Sequence, residues 1–375
     1  MTLKITEPVP TWQEILDDLE SLDMKKISLQ KMIDQWPPIL SAVLITILLL
    51  VIFYYGRQAN AFYEQQPVKL HVYAFSTQEE AFSEFILPEF EQYWEDLSGQ
   101  EIGIEAVFGP SATLASEINL GAPADIAILS NAHHINWLKM GHKVNQEAEP
   151  ILIGQTPMVI VTKPGNPHDI QDYADLTKPG LCILHSDPHS SGGGEWAILA
   201  EFGSALRETG SAGEAKTQVD EIWDNVCFMG TSARATMEVF AMGVGDALIT
   251  YEQDALLAQA DGVQLEIVYP PRTIFAEHMA VAVDDNNILR ERKVVQAFMD
   301  YLVSEPAQEA FSRYHLRPIS MVENEFPLIS DQFTVEELGG WTTVYPELVD
   351  ELVILYIQGA TTPGISAHHL RGASH

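Results

Sequence analysis

From Val68 onward, the sequence alternates between apolar segments of strand length and segments with helical spacing of apolar residues. The strand "VKLHVYAF" (68–75) precedes a helix predicted over 76–97, and a strand at 101–109 precedes a helix at 110–121. Strands that alternate with helices favour parallel sheets joined by crossover helices. Because this rhythm extends over too many residues for one small sheet, we predict an α/β fold with two lobes.

The chain of 375 residues is strongly acidic: 53 Asp and Glu oppose 20 Lys and Arg, which gives a formal net charge of −33. Binding to nucleic acid depends on a basic face that displaces counterions from phosphates, so this composition excludes a nucleic-acid partner. We interpret the acidity as a solubility feature. Hydrophobic residues make up 46% of the chain, which is enough for a sizeable core.

The sequence contains two cysteines, Cys182 and Cys227, without CxxC or zinc-ligand spacing. Both lie in apolar, strand-like segments, and we interpret them as small buried hydrophobic side chains. A disulfide between them is the alternative if this part of the chain lies outside the cytosol.

An apolar run at 39–55, interrupted by one serine and one threonine, precedes the α/β region. A helix of this length crosses one bilayer, so residues 37–56 are predicted to form a transmembrane anchor. Four lysines precede the run and a single arginine, Arg57, directly follows it. This distribution places the N-terminus in the cytoplasm and the α/β region on the extracellular or periplasmic face of the cytoplasmic membrane.

The segments outside the anchor and the lobes have predictions of their own. Residues 1–36 place apolar side chains at helical spacing and are predicted to be a cytoplasmic amphipathic segment. Residues 57–67 are predicted to be a tether and residues 356–375 a flexible tail. Secretion after cleavage near Ala61, in "ANA", is the alternative to the anchor, although the signal peptide would then have a long and acidic n-region.

Four polar turns occur where predicted strands end and helices begin: 75–77, 109–113, 190–196 and 230–236. Ligands of open α/β sheets bind at this end of the strands, and a helix N-terminus offers an anion unpaired N–H groups and partial positive charge. The glycines of "SSGGGEW" would permit close backbone approach and unusual φ and ψ angles. Helix capping is the alternative explanation of each single turn, but the four turns together, with Tyr251 at a further strand end, favour an anion site.

The motifs of common enzymes are absent from the sequence, which has no GxxxxGK[ST], no GxSxG and no HExxH. Its adjacent histidines, His133–His134 and His368–His369, cannot both ligate one metal from a regular element. We interpret both histidine pairs as polar surface residues. No enzymatic activity, catalytic residue, cofactor or metal is therefore predicted.

Long segments of the chain resemble the sulfate- and thiosulfate-binding proteins of bacterial ABC importers. The resemblance runs from about Val68 to Leu348 and is carried by "VTKPGNPHDIQDYADL", "HSSGGGEW" and "GTSARATMEVFAMGVGDALITYEQDALLA". It implies a two-lobed type II periplasmic-binding-protein fold with hinge strands. Lobe 1 would combine 68–152 with 274–355, and lobe 2 would span 153–273.

The same resemblance implies that neutral donors hold a dehydrated tetrahedral oxyanion between the lobes. The first lobe would contribute the backbone N–H groups of Phe75 and Ser111. The second lobe would contribute Ser191, Gly192, Gly193, the backbone N–H of Ala233 and the ring donor of Tyr251.

Three positions depart from the family pattern: Phe75 stands where the family has Asp, Tyr251 where it has Trp, and Glu195 where it has Arg. Glu195 is interpreted as a first-turn acid that complements the helix dipole, or as an acceptor for a protonated oxyanion such as hydrogen phosphate. The first lobe also resembles the molybdate-binding relatives of the family.

The resemblance therefore implies the extracytoplasmic solute-binding component of an ABC importer, which binds sulfate or thiosulfate and docks on ABC permease subunits. Binding of molybdate, tungstate or phosphate is one alternative. A membrane-anchored ectodomain that senses an anion for a cytoplasmic partner is another.

Overall fold

The computed structural model describes residues 38–64, 68–284, 289–320, 322, 326–352 and 354. The predicted amphipathic segment 1–36 and the predicted tail 356–375 lie outside these residues.

Helix α1 spans Pro38–Glu64 and belongs to the first of two compact units into which the chain divides, residues 1–65 and 66–375. The helix continues through most of the predicted tether 57–67, because "RQANAFYE" contains neither glycine nor proline to end it. Among the residues that the structure describes, no helix meets the length and apolarity required for a membrane crossing. The predicted anchor at 37–56 is therefore not confirmed.

The second unit is built on two β-sheets that share strand β4. The first sheet has the order β2-β1-β3-β9-β4 with β10 beside β9, and the second has the order β4-β7-β5-β6 with β8 beside β4. The strands are β1 Val68–Phe75, β2 Ile102–Gly109, β3 Ile126–Leu129, β4 Ile151–Thr162, β5 Ile183–Ser186, β6 Val226–Gly230, β7 Ala247–Tyr251, β8 Glu266–Val268, β9 Arg272–Ala282 and β10 Asp331–Phe333. We call the part around β1–β3 the first lobe and the part around β5–β8 the second lobe.

The prediction of parallel sheets is right for the outer strands and wrong for the central ones. Strand β1 is parallel to β2 and β3, and β5 is parallel to β6 and β7. In contrast, β4 and β9 are antiparallel to each other, and each is antiparallel to its other long neighbour, β7 or β3. The physical reason is that the chain crosses to the second lobe along β4 and returns along β9 in the opposite direction.

Most helices lie between consecutive strands, as the alternation predicts. They are α2 Glu79–Ala81, α3 Leu87–Ser98, α4 Ser111–Asn119, α5 Ala132–Met140, α6 Gly192–Thr209, α7 Ala212–Trp223, α8 Ala233–Ala241, α9 Glu252–Ala260, α10 Leu289–Leu302, α11 Glu305–Arg313 and α12 Trp341–Val344. The helix predicted over 76–97 is irregular at its start, where a 3-10 turn, Ser76–Gln78, and a π turn, Phe82–Ile86, flank α2. Pro88 has no N–H for the carbonyl four residues before it, which interrupts the α-helical pattern there.

Helix α6 occupies the centre of the second unit. It is buried continuously from Gly192 to Ala205, because it packs on β9, on α7 and on the C-terminal helical turn at Tyr345–Asp350. Trp196 fills the space at its first turn and is almost completely buried. The start of α6 is therefore held firmly from several sides, which fixes the position of the glycine-rich turn.

Cys182 and Cys227 form a disulfide with a Cα–Cα distance of 5.2 Å. The interpretation of both as buried hydrophobic side chains is therefore wrong, and Cys227 is exposed. Cys182 directly precedes β5 and Cys227 lies in β6; these strands are adjacent in the second sheet, which brings residues 45 positions apart in the sequence within bonding distance.

Candidate anion-binding site

Helices α4, α6 and α8 and the 3-10 turn after Phe75 all begin around one small cavity. The first residues of the helices are Ser111, Gly192 and Ala233. Each of these elements follows a strand that belongs to a parallel part of its sheet, so the sheets bring the helix N-termini together. The cavity is lined by Phe75, Ser76, Thr77, Pro110, Ser111, Ser130, Ser191, Gly192, Gly193, Ser232, Ala233 and Tyr251.

This lining includes all seven residues that the sequence predicted for the site. It also includes side chains that were not predicted, notably Ser130 and Thr77. Ser130 directly follows β3, which is the same signal, a hydroxyl residue at a strand end, that singled out the other turns. The residues thus come together in one place, on both lobes.

Helix capping and the cavity use the same residues. Ser191 Oγ accepts a hydrogen bond from the N–H of Gly193 at 3.2 Å, and Ser232 Oγ accepts one from Ala235 at 3.0 Å. Helix α4 follows Pro110, which has no hydroxyl to cap it. Capping, the alternative explanation of the turns, is therefore correct for two of them without excluding an anion site.

The backbone donors differ from the expectation at two positions. The N–H of Ser191 donates to the carbonyl of Asp187 at 2.8 Å, and that of Gly193 donates to Ser191 Oγ. The first N–H group of an α-helix has no partner within the helix, which leaves those of Ser111, Gly192 and Ala233 as the donors closest to the cavity. Ser191 can contribute through its hydroxyl hydrogen, because the oxygen alone serves as the cap.

Two buried hydroxyl groups belong to residues of the cavity wall, Tyr251 Oη and Ser130 Oγ; they lie near each other, and neither has a well-directed hydrogen bond to any other group in the described part of the chain. Burial raises the pKa of Tyr251 well above its ordinary value, so the phenol keeps its proton and can donate it. A buried polar group without a partner costs free energy, and a ligand that accepts hydrogen bonds removes this cost.

No charged side chain is among the described residues that line the cavity. The buried Asp254, in the first turn of α9, accepts a hydrogen bond from Thr77 Oγ1 at 3.2 Å, and burial raises its pKa to about 6. Arg234 Nε lies 3.8 Å from Asp254, and the same guanidinium forms a bidentate ion pair with Glu80. The positive charge of Arg234 is thus already paired, and the lining itself offers neutral dipoles.

A side chain at each of the three glycines of "SSGGGEW" would clash with, or closely approach, a different neighbour. A Cβ at Gly192 would lie 1.8 Å from Ser130 Oγ of the other lobe, and one at Gly194 would lie 2.3 Å from the carbonyl oxygen of Ser186. A Cβ at Gly193 would be 3.1 Å from Ala233 Cβ and 3.3 Å from the Tyr251 ring, at the cavity wall. All three glycines have ordinary helical φ, so the expectation of unusual φ and ψ is wrong. Close approach is the reason for the glycines.

Glu195 does not reach the cavity. Its carboxylate is completely buried, with Oε2 accepting a hydrogen bond from Asn131 Nδ2 at 2.6 Å and Oε1 lying 3.1 Å from His134 Nε2. Both partners belong to the start of α5 in the first lobe, so the carboxylate bridges the lobes. Glu195 lies in the first turn of α6, as the interpretation of a dipole-complementing acid requires, but neither sequence interpretation includes its contacts with the other lobe.

His134 is buried, so its interpretation as a polar surface residue is wrong, and His133 is partly buried. His133 stacks on Tyr345 with ring centroids 4.1 Å apart, and burial lowers the pKa of His133. Within the described residues, no group of three or more His, Cys, Asp or Glu side chains is arranged to hold a metal ion. The pair His368–His369 lies outside these residues.

The ring of His278 packs behind two aromatic residues of the cavity lining, Phe75 and Tyr251. The ring of His278 lies 4.5 Å from that of Phe75 and 5.2 Å from that of Tyr251, both in edge-to-face geometry. Burial lowers the pKa of His278 to about 3, so this ring is neutral at physiological pH. Phe75 and Tyr251 thus add uncharged aromatic rings to the cavity lining.

A two-lobed α/β fold with a small cavity of helix N-termini and hydroxyl groups between the lobes defines a binding protein for a small solute. A family model described as "Bacterial extracellular solute-binding protein" matches residues 70–317, and the chain belongs to this family.

Proteins of known function are similar over most of the chain. A sulfate-binding protein of Synechococcus elongatus is 30% identical over 304 residues, which cover 78% of this chain and 87% of that protein. A sulfate-binding protein of Escherichia coli is 32% identical over 276 residues, covering 69% and 83%. Among solved structures, the sulfate-binding protein SubI from Mycobacterium tuberculosis has a TM-score of 0.69 at 25% identity and covers 75% of this chain and 99% of that structure.

Proposed function

We propose that this protein is the extracytoplasmic binding component of an ABC importer and that its ligand is sulfate, with thiosulfate as a second ligand of the same charge. The observation that carries the proposal is the composition of the cavity: helix N-termini and hydroxyl groups from both lobes, without a charged side chain among its described residues. The sulfate-binding proteins to which the chain is similar support the choice of ligand.

Neutral donors are sufficient to hold an anion in so acidic a chain. Backbone N–H groups at a helix start carry oriented partial charge that acts within a few ångströms of the cavity. The net charge of −33 is distributed over the whole chain, and most of it is screened over about 8 Å at physiological salt. We propose as donors the N–H groups of Ser111, Gly192 and Ala233 together with the hydroxyls of Ser130, Ser191 and Tyr251, with Phe75 and Gly193 as the walls.

The described residues of the lining include no carboxylate, which argues against phosphate. Near neutral pH phosphate carries a P–OH group, which must donate a hydrogen bond to an acceptor in a dry site. Glu195 was the candidate acceptor, but both of its oxygens face Asn131 and His134. A ligand without a proton, such as sulfate, therefore fits the cavity better than hydrogen phosphate does.

We further propose that the lobes move as the segments 68–152 with 274–355 and 153–273, about the strands β4 and β9. Two features support this division: the pairing of β4 with β9 is irregular between Leu152 and Gly154, and the ion pair Glu80–Arg234 joins the lobes at the rim of the cavity. Closure about these strands would bury the anion, and docking on the permease would release it.

A membrane anchor at 37–56 with a cytoplasmic N-terminus completes the proposal. The apolar side chains of α1 from Val43 to Tyr55 are about 40–65% exposed, and they would be buried by a lipid environment. Carbonate extraction of membranes tests it, because an anchored protein stays with the lipid. N-terminal sequencing of the mature protein distinguishes the anchor from cleavage near Ala61, and release of a chain that begins there would contradict the anchor.

Calorimetry of the full-length protein in mild detergent, with sulfate, thiosulfate, molybdate and phosphate, tests the ligand. We expect sulfate to bind and phosphate to bind far more weakly. Replacing Tyr251 by Phe should weaken sulfate binding by about tenfold or more, because a hydrogen bond to the anion is lost. The matched control is Tyr93→Phe at an exposed ring far from any predicted site residue, which should leave binding unchanged. Absence of sulfate and thiosulfate binding would overturn the proposal.

A further inference from the structure

The bridge between Glu195 and the first lobe continues to the wall of the cavity. His134 Nε2 lies 3.1 Å from Glu195 Oε1, and the other ring nitrogen, Nδ1, lies 2.8 Å from Ser111 Oγ. Ser111 Oγ also accepts a hydrogen bond from the N–H of Ser130 at 3.0 Å. A chain of hydrogen bonds thus runs from a buried carboxylate to a hydroxyl on the cavity wall.

The proton content of this chain decides where the Ser111 hydroxyl hydrogen points. If Glu195 is ionised and His134 is neutral, Nε2 carries the ring proton and Nδ1 is an acceptor, so Ser111 must donate to Nδ1. With one more proton on the pair, on either residue, Nδ1 carries a hydrogen and donates to Ser111 Oγ. The hydroxyl hydrogen of Ser111 is then free to point into the cavity.

We propose that the Glu195–His134 pair takes up a proton when an anion binds, and that this proton turns the Ser111 hydroxyl into a donor to the anion. This inference rests on the proposed function, since it assumes an oxyanion in the cavity. Without the extra proton, Ser111 would present a lone pair to the anion, which is repulsive. Glu195 and His134 are therefore positioning residues that act on the ligand through Ser111.

The surroundings of the pair favour the added proton. A buried carboxylate without a cation is costly, and protonation of the pair removes this cost. Burial keeps the neighbouring rings uncharged, because it lowers the pKa of His133 and raises the pKa of Tyr251 and Tyr345. The acidic groups whose fields reach these rings are those of Asp187, Asp254 and Asp350, and the nearby cation Arg234 is paired with Glu80.

A substitution of Glu195 by Gln gives an unusual prediction. Asn131 cannot turn its amide, because its Oδ1 accepts a hydrogen bond from the N–H of His134 at 3.0 Å. The carbonyl of the introduced glutamine side chain must therefore face Asn131 Nδ2, and its NH₂ group must donate to His134 Nε2. This fixes the ring hydrogen on Nδ1 and frees the Ser111 hydroxyl at every pH.

Calorimetric titration of the full-length protein with sulfate, in two buffers of different ionisation enthalpy and at several values between about pH 6 and pH 9.5, tests the inference. We expect uptake of up to one proton in part of this range, with affinity falling as pH rises, by on the order of 10-fold to 100-fold in all. Glu195→Gln should abolish the proton uptake and keep the affinity high at high pH. Ser111→Ala should weaken binding and remove its pH dependence, whereas the control Ser116→Ala on the same helix should behave as wild type.

The possible outcomes separate a failure of the proposed function from a failure of the proton-uptake proposal. Absence of sulfate binding in every buffer contradicts the proposed function. Binding without proton uptake at any pH, or proton uptake that persists in Glu195→Gln, overturns the inference while leaving the function intact. The ¹⁵N chemical shift of His134 Nδ1 gives a readout that does not depend on affinity, because it should show a protonated nitrogen in Glu195→Gln at high pH.

Discussion

Two of the contacts that join the lobes, an ion pair and a buried carboxylate, differ in their contact with water. The ion pair Glu80–Arg234 lies at the rim with about a quarter of each side chain exposed, whereas Glu195 is completely buried between Asn131 and His134. An exposed ion pair is screened and can break at little cost, while a buried carboxylate depends on every partner it has. The rim ion pair is therefore suited to reversible closure of the lobes. The buried carboxylate is suited to setting the hydrogen bonds of the cavity wall.

Among the substitutions proposed here, replacement of Asn131 by Leu should cause the largest loss of stability, because it disrupts the contacts of the buried Glu195 carboxylate. The change removes a hydrogen bond to the buried carboxylate and the N-cap of α5, where Asn131 Oδ1 accepts from His134. We expect a loss of about 3 kcal/mol or more in the free energy of unfolding. Urea titration measures it.

The matched control removes a cap alone. Ser211 caps α7, far from the buried Glu195 contacts, by accepting from the N–H of Glu214 at 3.3 Å. Its replacement by Ala should cost about 1 kcal/mol. If Asn131→Leu costs no more than Ser211→Ala, the carboxylate does not depend on Asn131.

The ion pair Glu80–Arg234 should contribute much less to the free energy of unfolding than the buried Glu195 contacts do. Although burial raises it, the pKa of Glu80 is lowered overall because the Arg234 guanidinium stabilises the carboxylate, so the pair is charged at neutral pH. A double-mutant cycle with Glu80→Gln and Arg234→Gln should give a coupling of about 0.5–1 kcal/mol in the free energy of unfolding. The coupling should shrink at high salt, and a coupling insensitive to salt would contradict an exposed, screened pair.

The last effects concern pH and come from two buried groups whose contributions largely offset each other in the unmodified protein. Asp254, with its pKa raised to about 6, binds a proton more tightly in the folded state, so its contribution is full below its ordinary pKa and is lost as pH rises through 6. His278, with its pKa lowered to about 3, contributes stability above its ordinary pKa that is lost as pH falls toward 3. The two contributions oppose each other between about pH 4 and pH 6.

Thermal unfolding of single variants over this pH interval separates them. Asp254→Asn should make the protein more sensitive to acid, because the contribution of His278 remains alone. His278→Gln should make it less sensitive. If the unfolding temperature changes with pH equally in the two variants, other groups dominate the pH dependence.

The sequence predicts the parts of the site that depend on local structure. Ser111, Gly192 and Ala233 can be found because each follows a strand and starts a helix, and Tyr251 because it ends a strand. Asn131 and His134 could not be found in this way. Their role depends on Glu195, more than 60 residues away in the sequence, and on packing of one lobe against the other.

The same distinction holds for the fold. The alternation of strands and helices correctly predicts the α/β class and the outer, parallel strands. It does not reveal the antiparallel direction of β4 and β9, since direction depends on which lobe the chain enters. The disulfide between Cys182 and Cys227 likewise follows from the adjacency of β5 and β6, which neither strand specifies alone.

The position of β9 also sets an order of folding during synthesis and export. The main strands of the second sheet, β4 to β7, come from the continuous segment 151–251, so they can pair as soon as this segment emerges. In the first sheet β9 lies between β3 and β4, and this sheet stays in two pieces until residues 272–282 arrive. We therefore expect the strands of the second sheet to pair before the first sheet is complete.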